Sequence, residues 1–348
     1  MQRYNDIAIP LAWPDQTARG DELWMSFFKK LGVVKNLNFK VGHAAIVLVE
    51  RKSGLIKYYD FGRYIVPRGY GRARSAEFDP RLKLDTKAQF DDNGELQNLN
   101  AILLELRAKE AATHGGGKLL CSVSYHISFE KAVKFAEDLV DQGPILYGAL
   151  AAGNNSCSRY VAQILVEGME PGDKRIQKIL YPENIKASPT SNVVNAVEDN
   201  EIVVLERNVI EKWKLNRWES LKFQIGLLKP NFFSSHAKSL PDDNILGYID
   251  EPFKPIHVPE QATWLGGLGE GSWFYLQENS FGYEIRKYNA KGEMEYQVMA
   301  ESEEDVDMEN PFEFSYHVHY QKHIIKQNQK EIIFLTIHMA DQAIKQSI

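Results

Sequence analysis

The sequence predicts an α+β protein in two parts, residues 1–235 and residues 240–348. Three observations carry this. The chain has 348 residues, more than one average domain. In the first part, helical and strand patterns interleave. In the second, alternating β-rich runs follow one another between Gly and Asn turns.

The elements follow in order. Residues 20–30 carry apolar side chains at helical spacing and end before Gly32, which predicts a first helix. Residues 41–50, VGHAAIVLVE, are short, apolar and β-branched, the strongest strand signal in the chain. A turn at residues 51–54 leads into a return strand over residues 55–64, and then into the Gly- and Arg-rich loop PRGYGRARS. A helix is predicted over residues 97–112, ended by three glycines, and a strand over residues 119–126. Ser128 caps the next helix, which Gly143 stops. Another helix opens near Cys157 and is broken at Pro171 and Gly172. Residues 173–228 are mixed, with one strand at 201–205. Residues 229–244 combine Pro, Ser and Asp and read as a linker. Beyond it, four β-rich runs predict a small antiparallel sheet, closed by a helix over residues 339–346.

Composition narrows the function. Hydrophobic residues at 44% and charged residues at 25% are ordinary for a soluble protein that builds its own core. Two cysteines, Cys121 and Cys157, do not make a disulfide framework. A net charge of −6 argues against a general nucleic-acid binder. The first residues lack a basic segment followed by an apolar one, so no signal peptide is expected. No run approaches the ~18 consecutive apolar residues of a transmembrane helix, and a cytoplasmic location is the default expectation.

Two residues stand out chemically. Acyl transfer through sulfur needs a thiolate, a base beside it, and donors for the oxyanion. Cys157 opens a helix behind Gly153, Asn154, Asn155 and Ser156, so its sulfur lies in the first turn, where unsatisfied N–H groups favour negative charge. A buried, inert cysteine would fit the same pattern. His43 follows Gly42 at the head of the strongest strand, a place equally open to a satisfied core histidine.

Together they carry a resemblance. GHAAIVLV followed by a hairpin, and much later NNSCSRYVAQIL opening a helix, resembles the circularly permuted NlpC-type papain-like families, which include the lecithin retinol acyltransferase group. There the His strand precedes the Cys helix, as here. The resemblance spans residues 1–230 and implies a Cys/His thiol site on a papain-like core. Known activities of that group are peptidase, amidase and acyltransferase. The resemblance does not fix the substrate; a peptide-like or acyl small molecule, which could be anionic, is expected, with neither metal nor cofactor.

A third polar group normally orients the base. A two-residue turn places Val47 opposite Asp60, and a four-residue turn places Ala45 there. In both cases Asp60 shares the face of His43, and the second makes them diagonal neighbours. A three-residue turn would put Asp60 on the other face. Asp60 is therefore the candidate orienter, with Tyr58 and Tyr64 as fallbacks. The backbone N–H of Cys157 is one oxyanion donor, and Asn154, Asn155 or Tyr147 could supply the second. Arg63, Arg68, Arg72 and Arg74 could clamp an anionic substrate group, or pair with Glu77, Asp79 and Asp85. His317, His319 and His323 have a spacing that can chelate zinc but lack nearby Cys or carboxylate partners. GGLGEGS at residues 266–272 resembles a dinucleotide loop only superficially.

The leading reading is a cysteine peptidase or amidase with Cys157, His43 and Asp60 as catalytic residues. Arg63, Arg68, Arg72, Asn155 and Tyr147 are its candidate substrate-binding residues. The alternatives are an inactive binding or scaffold protein on the same core, and a thiol acyltransferase.

Overall fold

The computed structural model describes residues 4–20, 23–148, 153–243, 249–280 and 282–337. It combines helices with two large antiparallel sheets.

In the first sheet the strands lie in the order Val209–Lys214, Glu201–Glu206, Leu119–Cys121, Asp6–Trp13, His43–Val49, Ile56–Gly62, Tyr70–Arg74 and Ile145–Leu146, with Ser124–Ile127 also on Asp6–Trp13. The strand Asp6–Trp13 is central and pairs with His43–Val49 along its full length, from Ile7 opposite Val49 to Trp13 opposite His43. Sequence patterning gave it no strand, because Pro10 lies in its middle and proline cannot donate to a ladder. The expected strand over residues 119–126 is two short ones, broken after Cys121.

Both faces of this sheet are covered. On one, Ala44, Ile46, Leu48, Tyr59 and Phe61 form a buried cluster with Ala132 and Ala136 of the helix Phe129–Gln142 and Val161, Ile164 and Leu165 of the helix Cys157–Gly168. On the other, Ile7, Ile9, Leu11, Trp13, Ala45, Val47 and Tyr58 meet Ile102, Leu103 and Leu106 of the helix Leu99–Ala108. Alternation along each strand divides the residues between the faces. The helix Phe129–Gln142 starts and stops where its sequence indicates. The Ser128 side chain accepts from the Lys131 N–H, and Gly143 takes a φ of 74° at the C-cap.

The second sheet runs Thr263–Leu265, Ser272–Asn279, Gly282–Asn289, Met294–Glu301, Lys330–Thr336, Lys322–Gln327 and Glu313–Phe314. The run FEFSYHVHY, expected as a strand, is extended only at Glu313–Phe314. The helix expected over residues 339–346 lies outside the described residues.

Residues 229–243 of the stretch expected as a linker are structured instead. Lys229 and Pro230 end the helix Arg217–Phe232, and Ser234–Ala237 form a further turn of helix. Asp243 accepts from the Leu37 N–H at 2.5 Å, and the Asn36 side chain donates to Pro241 O at 3.0 Å. The side chains of Asn36 and Asn38 and the Leu37 N–H thus tie the segment to the first part. The two sheets also share apolar core. The cluster that holds Val161 and Phe61 continues through Ile65 and Phe78 to Leu265, Phe274 and Phe334.

Candidate active site

Three elements bring Cys157, His43 and Asp60 together. The hairpin has the four-residue turn, with Ala45 opposite Asp60 and Glu50 bonded to Leu55 across residues 51–54. Asp60 is fully buried, and its Oδ2 lies 3.4 Å from His43 Nε2, an ionic contact rather than a short hydrogen bond. Gly42, just before the histidine, has a φ of 75°. A Cβ there would stand 3.1 Å from Trp13 O, so the turn into the strand needs glycine.

Cys157 is the first residue of its helix, behind Ser156, whose side chain accepts from the Arg159 N–H at 3.4 Å. The thiol is half-buried and lies 3.8 Å from the Ser158 hydroxyl. It interacts with the His43 imidazole and with the Ala44 N–H. Because Nε2 of His43 faces Asp60, Nδ1 is the ring nitrogen left for sulfur. Asn192 Nδ2 donates to Ser158 O at 2.7 Å and fixes the first turn of the helix.

A wall of charge stands behind the pair. Arg74, also fully buried, grips Asp60 with two bonds, Nε to Oδ1 at 2.9 Å and Nη2 to Oδ2 at 2.5 Å. The Tyr58 hydroxyl donates to Asp60 Oδ2 at 3.0 Å. Around the imidazole, Trp13 stacks at 5.7 Å between centroids and Tyr64 meets it edge-on at 6.4 Å. These rings shield His43, which is 8% exposed, from water.

The charges follow from these contacts. Burial alone would strip the proton from His43. Asp60 and the Cys157 sulfur outweigh it and push the imidazole up to about 9. Burial would likewise protonate Asp60, but Arg74 and His43 hold its carboxyl well below the usual range. For Cys157, burial is outweighed by His43, the Ala44 N–H and Ser158, so the thiol falls below its ordinary value. Cys121 has no such partners, and burial pushes it up to about 12. The two shifts run in opposite directions, toward the charged forms of both the thiol and the imidazole.

The candidate substrate-binding residues separate. Arg72 is 1% exposed, donates to Val318 O at 3.1 Å and to Tyr316 O, and sits over the Phe78 ring. It faces the second sheet, not solvent, and the clamp reading fails for it. Asn155 is also consumed. Its Oδ1 accepts from the Ser156 N–H at 2.9 Å, and its Nδ2 donates to Gln163 at 2.9 Å. It fixes the loop before the Cys helix. Tyr147 forms a bridge with Asn155 and stacks on Phe61 at 6.1 Å. Arg63 lies over the Tyr147 ring at 5.0 Å and donates to Arg19 O. Arg68 is exposed.

Sequence reasoning placed Arg74 with the substrate and had no place for Trp13. Both follow from pairing, since Arg74 lies opposite Asp60 and Trp13 opposite His43. A cavity of about 400 Å³ lies beside the Cys helix, lined by Phe135, Leu139, Ile145, Asn154, Arg159 and Gln163. It adjoins the loop before Cys157 but includes neither Cys157 nor His43. Among the described residues, no group of His, Cys, Asp and Glu could hold a metal ion. His323 is instead bonded through Nε2 to the Tyr296 hydroxyl at 2.8 Å. Among the same residues, no helix is long and apolar enough to cross a membrane.

Residues 8–174 match the family described as Type VI secretion system effector TseH-like. Residues 262–337 match the DUF6695 C-terminal domain. The chain is similar to the crystal structure of the Type VI secretion system effector TseH, with 16% identity, a TM-score of 0.42, and coverage of 60% of this chain and 98% of that one. No curated protein matches the chain.

Proposed function

We propose that the chain is a thiol-dependent hydrolase of peptidase or amidase type, built on a permuted papain-like core. One observation carries this reading. A cysteine at the first position of a helix interacts with a histidine whose other nitrogen faces a buried carboxylate. Structural cysteines have no need of such an environment, as Cys121 illustrates.

The steps follow from the geometry. The Cys157 thiolate attacks the substrate carbonyl carbon and forms a tetrahedral oxyanion. The backbone N–H of Cys157, at the open end of the helix, supplies a donor to the developing charge. His43 passes its proton to the leaving amine as the C–N bond breaks, which leaves a thioester on Cys157. The neutral imidazole then takes a proton from water, whose oxygen attacks the thioester. Collapse returns the carboxylic acid and the resting pair. Asp60 holds the ring and stabilises its charged form.

The match of residues 8–174 to a family described as Type VI secretion system effector-like supports delivery to a target cell over a cytoplasmic role. The substrate class on this reading is peptide-like or acyl, with no nucleic acid. Incubation with p-nitrophenyl acetate tests the mechanism. The expected result is a burst of p-nitrophenol with one acetyl group on Cys157, absent in Cys157→Ala. Release at the same rate from that variant would refute the thiol mechanism and favour a binding protein on the same core.

A further inference from the structure

The loop between the first two strands of the second sheet reaches the candidate active site. Its backbone docks on the residues that follow Ile56–Gly62: the Gly269 N–H donates to Arg63 O at 2.8 Å, and the Ile65 N–H to Glu270 O at 2.7 Å. Gly267 lies so close that a Cβ would stand 2.4 Å from Glu270 O and 2.7 Å from Ile65 N. This is the GGLGEGS segment, and its glycines serve close backbone approach rather than a nucleotide.

The side chain of Glu270 then enters a cluster of three cations, Arg74, Arg81 and Lys287, and the His114 imidazole. Oε1 meets Arg81 Nη2 at 2.8 Å and Lys287 Nζ at 3.4 Å. Oε2 meets His114 Nε2 at 2.9 Å and Arg74 Nη1 at 3.6 Å. Arg74 Nη1 is buried and has no hydrogen-bond partner, so the Glu270 carboxylate is the charge that answers it. The same two partners of Oε2 pack on one ring. Arg74 sits 3.8 Å from the Tyr64 centroid, and His114 stacks on that ring at 4.3 Å. Tyr64 in turn meets His43 edge-on, and Arg74 grips Asp60.

We propose that Glu270 is a positioning residue of the Cys157–His43 site. It anchors Arg74 and His114 about Tyr64, and through them it fixes Asp60 behind the imidazole. The second sheet is then part of the working site and not an appended module. This inference rests on the hydrolase reading above.

Alkylation of Cys157 by iodoacetamide as a function of pH tests it in the full chain. Four proteins are compared: wild type, His43→Ala, Glu270→Gln and Glu295→Gln. Glu295 pairs with Lys287 and Arg81 in the same interface, but no ion pair links it to Arg74. A purely structural role would therefore make the two Glu variants alike. The expected result is a Glu270→Gln profile displaced to higher pH, with a rate at pH 6 about tenfold lower, as a one-unit rise of the thiol implies. Glu295→Gln keeps the wild-type profile. A Glu270→Gln profile that superimposes on wild type, while His43→Ala loses its reactivity, overturns the inference and leaves the hydrolase reading standing. A wild type indifferent to His43 removes both. Should Glu270→Gln not fold, His114→Gln at its half-exposed position removes the neighbour of Tyr64 and reads the same profile. A shift supports the positioning role, and a wild-type curve refutes it.

Discussion

Replacing Asp60 by Asn removes one charge from a fully buried cluster and leaves its partners in place. The carboxylate takes two bonds from Arg74, at 2.9 and 2.5 Å, one from Tyr58 at 3.0 Å, and faces His43 at 3.4 Å. Asn keeps one acceptor but presents an N–H₂ group where Oδ2 stood, toward Arg74 and Tyr58. Breaking a buried pair from one side costs about 3–5 kcal/mol, because the other charge stays buried. Glu270, 3.6 Å from Arg74, offsets part of that, which favours the lower end. At ~2–4 °C per kcal/mol for a large domain, the melting temperature falls by about 6–12 °C. The gap depends on pH. Asp60 is held below its unfolded value of ~3.9, so its contribution is complete above that value and fades as the pH falls through it and below. The two proteins therefore converge in acid. Without the carboxylate, burial dominates at His43, the imidazole loses its proton more readily, and the Cys157 thiol rises. Thermal unfolding at pH 7 and pH 3, with alkylation at pH 6, measures both effects. A fall of less than about 2 °C at pH 7 would refute the reasoning, since no buried pair would then have been broken.

Other outcomes follow from the same contacts. The pH–rate profile of hydrolysis is expected to be a bell, rising with ionisation of Cys157 and falling near 9 as His43 loses the proton it must donate. A flat profile from pH 8 to 10 would contradict it. By linkage, the stability that His43 contributes is complete below its unfolded value of ~6.5 and is lost as the pH rises through about 9. A His43→Ala melting curve should therefore approach wild type in alkali. Gly42→Ala should cost at least about 1–2 kcal/mol for the left-handed backbone, and more for the contact with Trp13 O, read by denaturant unfolding. A neutral result would mean that the turn before His43 can move. Arg72→Leu leaves the Val318 and Tyr316 carbonyls unmatched and should lower the melting temperature without altering KM for anionic substrates. A KM effect with unchanged stability would restore the clamp that burial argues against.

Much of the site was legible because it is local. His43 and Asp60 lie on one hairpin, where period-two alternation and the length of one turn decide whether they meet. The Cys helix was legible from its Asn-Asn-Ser cap before an apolar face. What the sequence could not convey depends on contacts between distant segments. Arg74 sits in YGRAR, a strand with little β propensity, so its place opposite Asp60 emerges only from sheet pairing. Arg72, two residues earlier, reads the same in sequence and ends at the second sheet. Pro10 hid the central strand, although it lies within a full ladder opposite Ile46. Asn155 could cap, donate or brace, and no local pattern decides among them. Its bonds to Ser156 and Gln163 do. Glu270 stands in a glycine-rich loop far along the chain, where only the docking of the two sheets gives it a role.

The most direct measurement is the pH dependence of Cys157 alkylation in wild type and in His43→Ala, with Cys121 as the internal control. An ordinary thiol titrates near ~8.5. Cys157 is expected to react rapidly at pH 6 in wild type, far ahead of Cys121, and to lose that reactivity in His43→Ala. If Cys157 reacts as slowly as Cys121, or equally fast with and without His43, the two residues are not a working pair and the hydrolase reading is wrong.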